Sequence, residues 1–383
     1  MQLTLLGAGH IGRTIARWLA ASGDYQVTVV ERDAEALAEL AARPLPMEGG
    51  PAGPLADGRA ALPLATRVVD TEDAEALAAL LAGQDAVVNA LPYHLATRAA
   101  TAAGTAGCHY FDLTEDVAAT RAIQRLADGA RTAFMPQCGL APGFIGIVAH
   151  HLAQGFDRLQ EVKMRVGALP AFPTNALKYN LTWSVDGLIN EYCHPCEAIR
   201  DGSKIDVLPL EGLEHFSLDG TEYEAFNTSG GLGTLCETLA GRVQTLDYKS
   251  VRYPGHRDLM QLLLGDLGLA KDPETLKAIM RRSIPTTMQD VVLVFVTVSG
   301  WRNGHLVQEV FARKIFAERG EAEPLSAIQI TTAAGVCAAV DLFRAGRLPQ
   351  RGFIRQEQVA LPDFLDNRFG RAYRQSRQVE SIG

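Results

Sequence analysis

The stretch Leu3-Thr4-Leu5-Leu6-Gly7-Ala8-Gly9-His10-Ile11-Gly12 decides the fold. An apolar run leads into three glycines spaced G-x-G-x-x-G, and a helix-like segment, Arg13 to Ala21, follows. A second apolar run, Val27-Thr28-Val29-Val30, ends in Glu31. This order of strand, glycine turn, helix, strand and acid is the fingerprint of a dinucleotide site. Gly7 permits the tight turn, Gly9 lets backbone approach a pyrophosphate, and Gly12 lets helix and strand pack closely. The first helical residues, His10 and Ile11, offer free N–H groups and a partial positive charge to the phosphates. Glu31 accepts hydrogen bonds from an adenosine ribose and repels a 2′-phosphate, so NAD is the expected cofactor; Arg32 beside it is the residue that favours NADP.

Working outward, strands and helices alternate. Strands are expected at Gln26–Val30, Thr66–Asp70, Asp85–Asn89, His109–Leu113 and Thr132–Pro136, with helices at Ala34–Ala42, Thr71–Ala82, Leu95–Ala106 and Val117–Asp128. Such alternation predicts an α/β fold with a doubly wound parallel sheet. Residues 43–64, rich in Pro and Gly, read as a mobile surface insertion. After Pro142-Gly143 the texture changes. A helix, Phe144–Leu152, leads to strand-like runs at Glu161–Gly167, Val291–Ser299 and Leu306–Ile315, whose period-two alternation predicts a mixed or antiparallel sheet. Helices are expected at Asp258–Leu267 and Pro273–Ser283. The Ala-rich segment Ile328–Arg347 is too apolar to stand alone and is expected to pack back on the first domain. The organisation read is residues 1–140 with 326–383 as the dinucleotide domain, and 141–325 as an inserted substrate domain.

The chain has 383 residues, 47% hydrophobic and 21% charged, which suits a globular two-domain protein. A formal net charge of −8 gives no support to nucleic-acid binding. The chain enters its first strand at once, so no secretory leader is expected. The run Val291 to Val298 is strand-sized, so no membrane association and a cytoplasmic location are expected. The six cysteines are scattered and form no disulfide framework. Cys193-His194-Pro195-Cys196 has redox spacing, but no second half of a zinc site accompanies it, so no metal is expected.

In a doubly wound sheet the ligand lies at the carboxyl ends of the strands. Asp70 there is either an adenine contact or the cap of the helix at Thr71. Asn89-Ala90-Leu91-Pro92 lines the nicotinamide side, and Tyr93 and His94 either reach the reacting centre or open a helix. Asp112, Glu115 and Asp116 form a carboxylate cluster that holds an ammonium, acts as base, or caps a helix. In the second half, Lys178-Tyr179-Asn180, the turn Ala225 to Gly231 with Thr228, and Tyr248 to His256 are the dense polar clusters. A guanidinium takes a carboxylate bidentately, so Arg252 is either a substrate clamp or half of a surface ion pair.

These pieces resemble the saccharopine dehydrogenase superfamily, and within it the lysine 6-dehydrogenase branch. The matching segments are Gly7 to Gly12, Val87-Val88-Asn89-Ala90-Leu91, Phe111-Asp112-Leu113, Gly139-Leu140-Ala141-Pro142-Gly143, Tyr179-Asn180 with Ser184, Glu224 to Gly231, and Tyr248 to His256. The resemblance implies a Rossmann domain with an inserted α/β domain and a C-terminal return, and a homodimer. It further implies NAD-dependent oxidation of a side-chain amine, with L-lysine giving an aldehyde, ammonia and NADH. The amine must lose its proton first, and a lysine ammonium has a reference pKa of about 10.4. His94 and Asp112 are the residues expected to act as base or touch the amine. Arg252 and His256 are expected to hold the α-carboxylate, with Tyr179, Asn180 and Thr228 completing the pocket. An imine reductase or opine-forming enzyme, and a non-catalytic NAD-binding sensor or scaffold, are the other readings.

Overall fold

A computed structural model describes residues 1–42, 60–319 and 324–374. Residues 43–59 of the expected insertion lie outside the described residues, and 60–64 carry neither helix nor strand. The chain divides into two units, Met1–Phe144 with Gln329–Ala372, and Ile145–Arg319 with Pro324–Ile328.

The first unit opens with β1 (Gln2–Leu6), α1 (His10–Ala21), β2 (Gln26–Glu31), α2 (Ala34–Ala42), β3 (Ala65–Val68), α3 (Ala74–Leu81), β4 (Ala86–Asn89), α4 (Ala96–Ala106), β5 (His109–Asp112), α5 (Val117–Ala127) and β6 (Ala133–Met135). Leu3, Leu5, Val27, Val29, Val87 and Val88 are fully buried, as strands covered on both faces require. β1 pairs in parallel with β2 on one side and β4 on the other, so the strand order reverses beside β1. The carboxyl ends at Leu6, Asn89 and Asp112 line up across this edge, through the pairs Leu6↔Asn89 and Asn89↔Asp112.

The second unit contains α6 (Phe144–Ala153), β7 (Arg158–Pro170), α7 (Val185–Cys193), β8 (Cys196–Arg200), β9 (Ser203–Val207), β10 (Glu214–Leu218), β11 (Thr221–Asn227), α8 (Leu235–Thr238), β12 (Val243–Arg252), α9 (His256–Gln261), α10 (Pro273–Ser283), β13 (Asp290–Arg302) and β14 (His305–Phe316). A short pair, β15 (Glu318–Arg319) and β16 (Pro324–Leu325), follows. Its eight-stranded sheet runs β10-β11-β12-β7-β13-β14, with β8 and β9 attached to β12. β12 lies parallel to β7 and the other pairs are antiparallel, so the sheet is mixed, as the alternation predicts. Val292, Val294, Val296 and Val298 of β13 are fully buried. The β8–β9, β10–β11 and β13–β14 hairpins turn at Asp201-Gly202, Asp219-Gly220 and Asn303-Gly304, with positive φ at both residues of each. This is the backbone of the tight two-residue turn that suits the strand twist. The helix expected over Asp258–Leu267 begins earlier and ends at Gln261, followed by a π-helical turn at Leu262–Asp266.

The chain then returns to the first unit through α11 (Ala327–Arg344), β17 (Gly352–Phe353) and α12 (Leu361–Asp366). β17 adds a seventh, parallel strand beside β6. By length and composition α11 is apolar enough to cross a membrane, contrary to the strand-sized limit expected; 89% of it is buried inside the protein, as in a core helix.

Candidate functional site

At the glycine turn, a Cβ on Gly12 would sit 2.1 Å from the Gly7 carbonyl oxygen, so only glycine fits that contact. A Cβ on Gly9 would meet nothing within 4 Å. Gly9 and His10 are exposed, Ile11 is half-buried, and no side chain caps α1. The first turn of α1 therefore offers its amides to an anion over open space, which fits a pyrophosphate. Beside it, Glu31 is pinned: its carboxylate accepts the Ala8 N–H at 3.0 Å and the Arg32 N–H at 2.8 Å. The Arg32 side chain is exposed. Asp70 is exposed too, and its carboxylate accepts the Glu72 N–H at 2.9 Å. The capping role weighed for it belongs to Asp73, which takes the Glu75 and Ala76 N–H groups at the start of α3.

Asn89 closes β4. It is buried, accepts the Leu91 N–H at 3.2 Å and donates to the Tyr110 hydroxyl at 3.3 Å, so it shapes Ala90-Leu91-Pro92 from within. His94 lies exposed in a short 3-10 turn, Tyr93–Leu95, edge-on to Tyr93.

Asp112 corrects an expectation. It is fully buried. One carboxylate oxygen accepts the Thr114 and Gln137 N–H groups at 3.0 and 2.8 Å, and the other accepts the Tyr110 O–H at 2.8 Å. Burial lifts its carboxyl to about 6 despite those bonds. These bonds tie the turn after β5 to the turn after β6 and leave Asp112 enclosed rather than open to a ligand. Asp116 caps α5 through the Ala119 N–H at 2.7 Å. Glu115, between them, is half-buried, and burial with the charges of Asp116 and Asp112 lifts its carboxyl to about 7. Its carboxyl is the member of the cluster raised nearest to neutral pH.

In the second unit, Tyr248 to Arg252 is the end of strand β12. Strand alternation sends Asp247 and Lys249 to one face and Tyr248, Ser250 and Arg252 to the other. Lys249 is ion-paired to Glu214 at 2.8 Å, and Arg165 pairs with the same Glu214 and with Asp247. Arg252 differs. It is 3% exposed and forms no ion pair among the described residues. Its Nε donates to the Tyr192 hydroxyl at 2.9 Å and its Nη1 to the Val251 carbonyl at 2.8 Å. The guanidinium lies 5.3 Å from the Tyr179 ring centre and 5.8 Å from that of Tyr192. Burial opposes its charge, but the surrounding tyrosines and Glu191 hold its pKa above the ordinary value.

His256 is a second correction. It is completely buried; Nδ1 faces the Leu177 carbonyl at 2.8 Å and Nε2 the Tyr192 hydroxyl at 3.2 Å. Burial and the neighbouring Arg252 push its pKa down to about 3. A neutral ring with both nitrogens engaged braces Tyr192 and does not hold a carboxylate. Thr228 shares a 2.8 Å hydrogen bond with Ser250, and Asn180 is buried near the chain turn that carries Tyr179. Sequence reasoning missed Tyr192, on α7, which Ser184 caps through the Gly187 N–H. It also missed the function of Glu224, whose carboxylate takes the Gly255 and Arg257 N–H groups at 2.8 and 2.6 Å and so fixes the start of α9 and His256. Cys193 and Cys196 are unpaired thiols whose pKa burial raises, Cys196 to about 12.

Comparison with known proteins agrees with both units. Residues 3–134 match the saccharopine dehydrogenase NADP binding domain and residues 139–371 the saccharopine dehydrogenase C-terminal domain. Among solved structures, the fold is similar to apo saccharopine dehydrogenase (L-Glu forming) from Saccharomyces cerevisiae, with a TM-score of 0.75 at 17% identity, over 96% of this chain and 98% of that one. It is also similar to the homospermidine synthase from Legionella pneumophila in complex with NAD, with a TM-score of 0.61 at 14% identity, over 97% and 89% of the two chains. The domain matches cover both the glycine turn and the Arg252 cluster: this chain belongs to the saccharopine dehydrogenase family and is an NAD(P)-dependent oxidoreductase.

Proposed function

We propose that this protein oxidises the side-chain amine of an amino acid with NAD, and that the substrate is L-lysine at its 6-amine, released as aldehyde and ammonia. One observation carries the reading: the buried guanidinium of Arg252 donates to the Tyr192 hydroxyl and a backbone carbonyl and forms no direct ion pair among the described residues, the buried Glu191 acting on it only electrostatically. A guanidinium takes a carboxylate bidentately, so a carboxylate arriving with the ligand is a suitable partner for it. An α-carboxylate is that partner, and Tyr192 and Tyr179 hold the guanidinium in place for it.

Gly7, Gly9 and Gly12 with the first amides of α1 hold the dinucleotide's phosphates, and Glu31 its ribose. The dinucleotide, when bound, supplies the hydride acceptor. The Glu31 carboxylate, held by the Ala8 and Arg32 amides, supports NAD over NADP, since it repels a 2′-phosphate. Glu115 takes the proton that the substrate ammonium must lose before hydride can leave its carbon, in the place expected for Asp112; His94 remains exposed at the same strand edge. Water then adds to the imine and ammonia departs.

The test is NADH formation with a panel of amino acids and diamines, with ammonia measured alongside. Lysine turnover with ammonia in equal amount supports the reading. NADH oxidation by lysine together with a 2-oxoacid, and no deamination, overturns it in favour of imine reduction, which the family match also supports.

A further inference from the structure

The edge strand of the second unit's sheet carries a side-chain pattern that matches itself when reversed. β14 pairs only with β13, so no strand lies along its other side among the described residues. The two-residue turn at Asn303-Gly304 closes on the pair Arg302 and His305. The closing pair of such a turn exchanges both its backbone bonds, and every second pair after it does the same. The backbone groups of Leu306, Gln308, Val310, Ala312, Lys314 and Phe316 therefore point away from β13. Arg313 agrees with this, since its Nη1 donates to the outward Ala312 carbonyl at 2.7 Å. The outward N–H groups of that set have no acceptor among the described residues. A long bare edge invites a further strand, and proteins that avoid this blunt the edge with proline, a bulge or a lysine. β14 has 12 residues, no proline and no bulge against β13. Its one lysine, Lys314, is bound to Asp219 at 3.1 Å. Leu306 and Val310 stand 63% and 52% exposed on one face of it.

We propose that β14 pairs antiparallel with β14 of a second copy of this chain, about a two-fold axis at Phe311, so that two second-unit sheets join into one. The resemblance implies two copies but assigns them no surface; β14 supplies the surface, the symmetry and the register. The pairing does not depend on which amine the protein oxidises. A two-fold axis makes the contact isologous, so each side chain must suit its symmetry-related position on the same strand. With the axis at Phe311, Glu309 faces Arg313, Gln308 faces Lys314, Val310 faces Ala312, Val307 faces Ile315 and Leu306 faces Phe316. Apolar meets apolar, polar meets polar, and the acid meets a base. The neighbouring registers fail. With the axis at Val310, Glu309 faces Phe311 and Val307 faces Arg313; with the axis at Ala312, Phe311 faces Arg313 and Glu309 faces Ile315. The outward backbone groups fit the same register: Val310 with Ala312, Gln308 with Lys314 and Leu306 with Phe316 become the hydrogen-bonded pairs. In the single chain Glu309 holds Arg302 at 2.6 Å, and Arg313 lies over the Phe311 ring, 4.6 Å from its centre. On pairing, Arg313 yields the Ala312 carbonyl to the second copy's amide and turns to Glu309, which then sits between two arginines.

Sedimentation velocity of the full-length protein over a range of micromolar concentrations tests this. The wild type is expected to sediment as a dimer. Glu309→Arg and Arg313→Glu each set like charges opposite one another on both sides of the axis, and each raises the dimer's dissociation constant roughly tenfold or more. The double variant Glu309→Arg/Arg313→Glu restores the dimer, which a general loss of folding does not do. Val310→Pro removes an outward N–H and no bond to β13, so it gives a second route to the monomer. Unchanged NADH binding shows that each variant is folded. Cysteine substitution reads the register. Opposed residues of a pair that is not hydrogen-bonded lie about 4.5 Å apart at Cα, within disulfide reach, so Phe311→Cys cross-links to itself under mild oxidation. Val310→Cys, which faces Ala312 of the second copy, does not. A monomeric wild type overturns the proposal. So does a dimer that survives the single charge reversals and Val310→Pro, or one in which Phe311→Cys fails to cross-link. Lysine turnover is measured apart from these, so failure of the functional reading leaves this test as it stands.

Discussion

The Tyr192 hydroxyl lies 2.9 Å from Arg252 Nε and 3.2 Å from His256 Nε2, so one phenol links a permanent cation to a neutral imidazole. Tyr192→Phe removes the acceptor for a buried charged donor. That loss is about 1.5–3 kcal/mol. The KM for the amino acid is expected to rise at least tenfold, and the Kd for NADH to stay unchanged by fluorescence titration. An unchanged KM removes Tyr192 from the clamp.

Gly12→Ala forces a methyl group to within 2.1 Å of the Gly7 carbonyl oxygen. Overpacking of this kind costs about 1–3 kcal/mol. A lower Tm and at least tenfold weaker NADH binding are expected, with lysine binding spared in calorimetry.

Burial of Asp112 makes stability depend on pH. Its folded pKa, about 6, lies above the ordinary carboxylate value, so the folded state holds the proton more tightly than the unfolded chain. The stabilisation is fully present below the unfolded pKa, near 4, and is lost as pH rises through about 6, a change of about 2–3 kcal/mol. Urea unfolding of Asp112→Asn across this window is expected to lack that decline. A decline equal to the wild type's assigns the effect elsewhere.

Glu115 must be ionised to take a proton, and its carboxyl stands at about 7. Turnover is expected to climb as pH rises through 7, and Glu115→Gln to lose both that limb and at least a hundredfold in kcat. If the limb survives in the variant, another group is the base.

The proposed preference for NAD rests on Glu31. A kcat/KM for NAD at least tenfold above that for NADP is expected, and Glu31→Ala narrows the gap. Comparable efficiency with both cofactors in the wild type contradicts this assignment.

The dinucleotide unit was legible in the sequence because its signals are local. Short, largely apolar runs mark β1, β2 and β4, the alternation with helices places β3, β5 and β6, and the glycine spacing marks the ligand edge. The strands β8 to β11 were not read, because they are short and carry alternating polar residues, as in Ser203–Val207 and Glu214–Leu218. Their clearest signals are the turn pairs Asp201-Gly202 and Asp219-Gly220. Arg252 was legible by residue type. Tyr192 was not, since it meets Arg252 only through a contact 60 positions along the chain. Asp112 and His256 show the converse: titratable side chains suggest chemistry, and burial with saturated hydrogen bonds withdraws it.

The seventh strand of the first unit, β17, and the long helix α11 come from the far end of the chain. Tyr25 bonds Asp341 at 2.6 Å across 316 positions, and Gln329 reaches the His10 carbonyl at 3.4 Å. On the ribosome, the nucleotide-binding half is therefore begun first and finished last. The unit spanning Ile145–Arg319 is continuous and can complete its sheet while its predecessor still waits, with β6 an open edge, for the final fifty or so residues. A truncation near residue 325 would remove no part of the glycine turn, yet it would leave the half that carries that turn unable to close its own core.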